Sequence, residues 1–218
     1  MTGLQQYGRW RQLYQLALLL GLLVLSQAAY AAPKLVLAFG DSLTAGYQLK
    51  PAESFPAQLQ VALTKAGRDV TVKNAGVSGD TTSAGRARLN WVLAGLKAKP
   101  DLVILELGAN DMLRGQDPAT AKANLDAMLA DLGKRGIPVI LAGMRASPNL
   151  GATYVKQFDA MYGALAAKHQ ARLYPFFLDG VAATPKLQLA DGMHPNAAGV
   201  AVIVKRILPV VETALGAK

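Results

Sequence analysis

Apolar residues along this chain follow two alternating rhythms. Leu35-Val36-Leu37-Ala38-Phe39, Leu102-Val103-Ile104-Leu105 and Val139-Ile140-Leu141 are short unbroken runs bounded by turn residues, and each reads as a buried strand. Val70 to Val72 and Arg172 to about Phe176 read as two further strands. Between them the spacing changes to three and four residues. An amphipathic stretch opens at Ser54 and Pro56 and ends at Gly67, and a second helix runs from Ser83 to Lys97 with Leu89, Val92, Leu93 and Leu96 on one side. Asp117-Pro118 caps a helix whose apolar face carries Leu125, Met128, Leu129 and Leu132. Helices are also predicted from Tyr154 to Gln170 and from Asn196 to Leu215, the last with Pro195 in its first turn. Strands that are continuously apolar, each separated from the next by a helix, require a parallel sheet covered on both faces. The class is α/β.

The first thirty or so residues do not share this alternation. Arg9 and Arg11 precede an almost unbroken apolar stretch from Leu13 to Leu25, and Ala29-Tyr30-Ala31 fits a small-residue cleavage site. The apolar stretch is short for a membrane span. Residues 1–31 are therefore expected to be a secretory signal peptide, residues 32–218 the mature domain, and the destination the periplasm or the exterior. Removing that segment leaves 187 residues, enough for one domain with one core. The chain has no cysteine, which excludes a disulfide framework, a thiolate nucleophile and a zinc–cysteine site. The mature part would carry 21 Lys and Arg against 14 Asp and Glu, scattered rather than gathered in an aromatic-lined stripe, so nucleic acid is not an expected partner. The excess positive charge is compatible with transient contact with anionic lipid.

Candidate chemistry gathers after the strands, where α/β proteins build their sites. Ser42 follows the Leu35–Phe39 run and a glycine turn, which gives a nucleophile rigid backing. Asp191 stands three residues before His194, close enough to accept one imidazole N–H and leave the other nitrogen free to take a hydroxyl proton. Asn110, after the Leu102–Leu105 strand, offers a carboxamide N–H to a tetrahedral oxyanion, as do the backbone amides of Ser42 and Gly79. Each residue also has a simpler reading. Gly-Asp-Ser is a common turn or cap, Asn110 could merely close a turn, and Asp191 and His194 could be loop residues. Ser78 is a decoy, since Asp80 stands where a Gly-x-Ser-x-Gly elbow needs its last glycine. His169, late in a helix, is expected to be a solvated surface residue. Ser42, Asp191 and His194 together point to nucleophilic acyl transfer.

Four blocks in order carry a family resemblance: Gly40-Asp41-Ser42-Leu43 with Thr44-Ala45-Gly46-Tyr47, Val77-Ser78-Gly79-Asp80-Thr81, Glu106-Leu107-Gly108-Ala109-Asn110-Asp111, and Asp191-Gly192-Met193-His194-Pro195. The mature chain resembles the SGNH, or GDSL, hydrolase superfamily, in particular its periplasmic arylesterase, thioesterase I and lysophospholipase subgroup. Ala109 departs from the second glycine found in many relatives. The resemblance implies a three-layer flavodoxin-like sandwich around a parallel sheet of about five strands. It also implies Ser42 as nucleophile, His194 as base oriented by Asp191, and an oxyanion hole of the Ser42 and Gly79 amides with the Asn110 side chain. Neither cofactor nor metal is implied. The substrate class would be small-molecule acyl esters or thioesters, with carbohydrate-ester deacetylation as the other activity known in such a superfamily.

Two other classes fit less well. A binuclear metallophosphoesterase shares a Gly-Asp start but needs a His directly after its Asn and several further His ligands, whereas Asp111 follows Asn110 and the chain has two histidines. A non-catalytic lipid carrier leaves Ser42, Asp191 and His194 without a purpose.

Overall fold

A computed structural model describes residues 32–216, and the expected signal segment over residues 1–31 lies outside them. Five parallel strands, β1 (Lys34–Gly40), β2 (Val70–Gly76), β3 (Leu102–Glu106), β4 (Val139–Ala142) and β5 (Arg172–Tyr174), form one sheet in the order β2-β1-β3-β4-β5. Seven α-helices accompany them among the described residues: α1 (Ser42–Ala45), α2 (Phe55–Lys65), α3 (Thr82–Ala94), α4 (Ala109–Leu113), α5 (Pro118–Lys134), α6 (Ala152–His169) and α7 (Ala197–Leu215). Helix α2 packs against α7, while α5 packs against both α3 and α6, so two helical layers enclose the sheet. This is the expected α/β sandwich with a five-stranded parallel sheet.

Burial follows strand position. Every residue of β3 and β4 is buried, as are Val36 to Gly40 of β1, which explains why these three read as continuous apolar runs. Strand β2 lies at the edge and is largely open to solvent. It runs four residues beyond Val72, through Lys73 and Asn74, because its backbone pairs with β1 up to Gly76 opposite Gly40. Strand β5, at the other edge, stops at Tyr174, two residues short of the predicted end. Helix α3 is also shorter than its apolar spacing predicts, ending at Ala94 with Gly95 as cap.

The strand order fixes where a site can form. From β1 the chain crosses to β2 on one side, and β3 then joins on the other side of β1. The connections after β1 and β3 leave the sheet in opposite directions, opening a crevice at their carboxyl ends. Ser42 stands two residues past the end of β1, and Asn110 four residues past the end of β3. Pro195 is not in the first turn of α7: Asn196 is the N-cap, and Pro195 precedes it in an antiparallel bridge with Gln188.

Candidate active site

Ser42 is the first residue of α1, a four-residue helix too short to stand on propensity alone. Asp41 caps it, its Oδ1 accepting the Leu43 N–H at 2.9 Å. At the first helical position the Ser42 N–H has no intrahelical acceptor. The approach of α1 to β3 depends on Gly40, where a Cβ would collide with Thr44 Oγ1 and lie 2.6 Å from Glu106 Oε2. Ser42 is buried but for a small opening, with its hydroxyl oxygen 2.9 Å from His194 Nε2.

His194 is held from several sides. Its Nδ1 is 2.6 Å from Asp191 Oδ2, while Asp191 Oδ1 accepts the backbone N–H groups of Met193 at 2.9 Å and His194 at 3.0 Å. The His194 backbone N–H is the strongest of several contacts favouring the ionised form, and together they hold the Asp191 carboxyl down at about 2. The loop before α7 is itself pinned. Asn196 donates through Nδ2 to the carbonyls of Lys186 at 2.9 Å and Gln188 at 3.2 Å, while its Oδ1 caps α7 at the Gly199 N–H. The Tyr47 ring lies 4.5 Å, centroid to centroid, from the imidazole and inclined by 38°. Nothing local in the sequence marks Tyr47, since only the fold brings the turn after α1 beside the His194 loop.

The expected oxyanion donors surround the same hydroxyl-bearing turn. Val77 to Asp80 form a turn closed by the Asp80 N–H on the Val77 carbonyl at 3.1 Å, with Gly79 in the third position at φ +86°, as a type II turn demands. Arg114 donates to the Gly79 carbonyl at 2.8 Å. Arg88 reaches from α3 to Asp80 Oδ2 at 2.5 Å and to the Gly40 carbonyl at 3.0 Å, its guanidinium lying over the Phe39 ring. Asn110 Nδ2 bridges Asp41 Oδ2 at 3.1 Å and the Asp80 carbonyl at 3.0 Å. That carboxamide therefore ties the Ser42 turn to the Gly79 turn, and donating to an oxyanion requires one hydrogen to leave its present partner.

Ser42, Asp191, His194, Gly79 and Asn110 thus belong to one cluster at the carboxyl end of the sheet. Ser78 is exposed on its turn. His169 is less solvated than the sequence suggests: it ends α6 with its Nε2 2.5 Å from Asp126 Oδ1, and Lys168 Nζ meets the other oxygen at 2.8 Å. Among the described residues no three His, Cys, Asp or Glu side chains gather as metal ligands would. Beside these groups stands Glu106, buried at the end of β3 and accepting the Thr44 hydroxyl at 2.8 Å. Its signal was a lone carboxylate closing an otherwise apolar strand.

Known proteins resemble this chain over most of its length. The chain is similar to a protein named esterase TesA from Pseudomonas aeruginosa, 40% identical over 196 residues that cover 90% of this chain and 96% of the relative. It is 37% identical over 174 residues to thioesterase 1/protease 1/lysophospholipase L1 of Escherichia coli K12, covering 80% and 81% of the two chains. Among solved structures, AlinE4, an SGNH-hydrolase family esterase, matches with a TM-score of 0.73 and 49% identity over 87% of this chain and 100% of its own. The profile of the GDSL-like Lipase/Acylhydrolase family matches residues 38–202, and the chain belongs to that family.

Proposed function

We propose that this protein is an exported serine hydrolase that cleaves esters or thioesters of acyl chains through an acyl-enzyme on Ser42. The observation that carries the reading is the line of short contacts from Asp191 through His194 to the Ser42 hydroxyl, 2.6 Å and 2.9 Å in turn. His194 Nε2 takes the Ser42 proton as Oγ attacks the carbonyl carbon, and the resulting imidazolium faces the ionised Asp191. The oxyanion is received by the Ser42 and Gly79 N–H groups and by Asn110. Collapse of the intermediate expels the alcohol or thiol, which takes the proton from His194. Water then repeats the sequence and releases the acid.

Esters of apolar acids are favoured by the rim of the site. Tyr47, Val77, Leu113 and Met193 are all exposed, and they lie within five residues of Ser42, Gly79, Asn110 and His194 in turn. The names of the relatives, esterase and thioesterase 1/protease 1/lysophospholipase L1, support the same substrate class. The same rim and the net positive charge suit brief contact with lipid. Residues 1–31 act as the export signal in this reading, with the mature protein beginning at Ala32.

The test is hydrolysis of chromogenic acyl esters and of an acyl thioester, with chelator present throughout. Turnover by the wild type, loss in Ser42→Ala, and a phosphonate adduct mapped by mass spectrometry to Ser42 are expected. An adduct elsewhere, or activity that chelation abolishes and a divalent metal restores, would overturn the mechanism. Mass measurement of the exported protein tests the signal, and an intact N-terminus in a membrane fraction would make it an anchor.

A further inference from the structure

Glu106 is 1% exposed at the end of a strand with no other polar side chain. A carboxylate so far from water needs a cation or several donors. Glu106 has one strong donor, the Thr44 hydroxyl on Oε2 at 2.8 Å, and one long one, the Asp41 N–H on the same oxygen at 3.4 Å. Its Oε1 is buried without a partner. The charged groups around it do not help. Asp41 follows β1, Asp111 lies in α4, and Tyr162 of α6 donates its hydroxyl to the Leu107 carbonyl next door. The nearby cation is Arg88 of α3, already bound to Asp80 and to the Gly40 carbonyl. His194 acts on Asp41 rather than on Glu106.

Two adjoining carboxyls in one buried site cannot both ionise without mutual repulsion. Asp41 has the donors that favour an anion, the Leu43 N–H on one oxygen and Asn110 Nδ2 on the other. Burial first, and the Asp41 charge next, push the Glu106 carboxyl well up. The proton therefore belongs on Glu106.

Resting on Ser42 as the nucleophile, we infer that Glu106 is a positioning residue, a neutral carboxylic acid beneath the nucleophile turn that fixes Thr44 and the Asp41 backbone. With one charge instead of two, Asp41 keeps Asn110 and the start of α1 in a single arrangement. An ionised Glu106 would push Asp41 away and displace Ser42 and Asn110 together. Substrate does not touch it; it acts through α1.

Kinetics of Glu106→Gln, Glu106→Leu and Thr44→Val, with thermal melting of each and Ser42→Ala alongside, test this. Glutamine keeps the acceptor for Thr44 and a neutral headgroup, so Glu106→Gln should retain kcat within about threefold. Leucine removes the acceptor, and kcat should fall by roughly 10–100-fold with KM unchanged, as expected when a nucleophile is misplaced by a fraction of an ångström. Thr44→Val should shift kcat in the same direction, and it carries the test if Glu106→Leu does not fold. Wild-type kcat should decline at the alkaline end of its pH profile, and that limb should vanish in Glu106→Gln. A folded Glu106→Leu or Thr44→Val with wild-type kcat would overturn the inference. Glu106→Gln as damaged as Glu106→Leu, or an alkaline limb persisting in Glu106→Gln, would do the same. Activity in Ser42→Ala would instead bring down the serine assignment.

Discussion

Replacing Asp191 by asparagine should be at least as damaging as replacing it by alanine, and the hydrogen bonds around it say why. Asp191 Oδ1 accepts two backbone N–H groups, from Met193 at 2.9 Å and from His194 at 3.0 Å. An asparagine must leave its carbonyl oxygen there, because an amide nitrogen would set donor against donor. Its NH₂ then faces His194 Nδ1 in the place where Oδ2 now stands at 2.6 Å. Donation to Nδ1 forces the ring proton onto Nε2, which points at Ser42 Oγ from 2.9 Å. The imidazole becomes a donor to the hydroxyl it should deprotonate. Wrong-tautomer substitution of this kind costs about 10⁴ in kcat, on the order of 5 kcal/mol in the barrier.

Alanine leaves Nδ1 facing a gap and permits both tautomers, so Asp191→Ala should lose activity to the same extent or somewhat less. Initial rates on a chromogenic ester, with thermal melting to establish that both variants fold, make the comparison. Asparagine retaining more than a tenth of wild-type kcat/KM would refute the tautomer argument. So would a folded alanine variant more than tenfold worse than asparagine.

Ser42→Ala should abolish turnover, a loss of about 10⁶ in kcat, while Ser78→Ala leaves it untouched; steady-state assays of the two would expose a misassigned nucleophile if the pattern were reversed. Asn110→Ala should lower kcat by roughly 10²–10³ with little change in KM, and a variant losing affinity instead would make Asn110 a binding residue. Activity should fall on acidification because a general base must be neutral to act, whereas Asp191, held at about 2, stays charged throughout that limb; a flat acid profile would count against His194 as base. Burial raises Asp41 from 3.8 to about 6 and pushes Glu106 well up, so the native state binds more protons than the unfolded one from about pH 4 upward, and stability from these groups is lost as pH rises. The melting temperature of Glu106→Gln should therefore gain on the wild type as pH rises, and a constant difference would contradict the sign.

The elements that were legible are those whose burial is carried by their own side chains. Strands β1, β3 and β4 are apolar throughout because both faces are covered, and α5 shows its Leu125, Met128, Leu129 and Leu132 face directly. Strand β2 was only half visible, since Lys73 and Asn74 stand at a solvent-exposed edge where backbone pairing, not side-chain burial, defines the strand. Helices α1 and α4 were not anticipated. Each is a turn or so long and depends on contacts from distant residues, such as Asn110 on Asp41, that no local window contains. Ser42 and Asn110 were readable because the ends of β1 and β3 before them were, and Asp191 and His194 because they stand three residues apart. Glu106 and Arg88 were not, because their partners come from other blocks of the chain.

Those long-range partners decide how the site keeps its geometry. Four short segments supply its groups, and such segments alone do not hold hydroxyl, imidazole and amides to a fraction of an ångström. Here the three that follow β1, β2 and β3 are cross-tied to one another. Asn110 binds the Asp41 carboxylate and the Asp80 carbonyl, Arg88 joins Asp80 to Gly40, and buried Asp111 accepts both the backbone and the hydroxyl of Thr82 at the start of α3. The turn bearing Gly79 is thereby tied to the ends of both β1 and β3, on the edge side of the crevice that the strand order opens. The His194 loop has no such tie to the other three; it is anchored to α7 through Asn196 and meets them at Ser42 and Tyr47. In the proposed mechanism, one half of the site is thus a cross-tied cradle for the carbonyl and its oxyanion. The other half brings the base on a separately braced arm, and the 2.9 Å contact between His194 and Ser42 is where the two halves must agree.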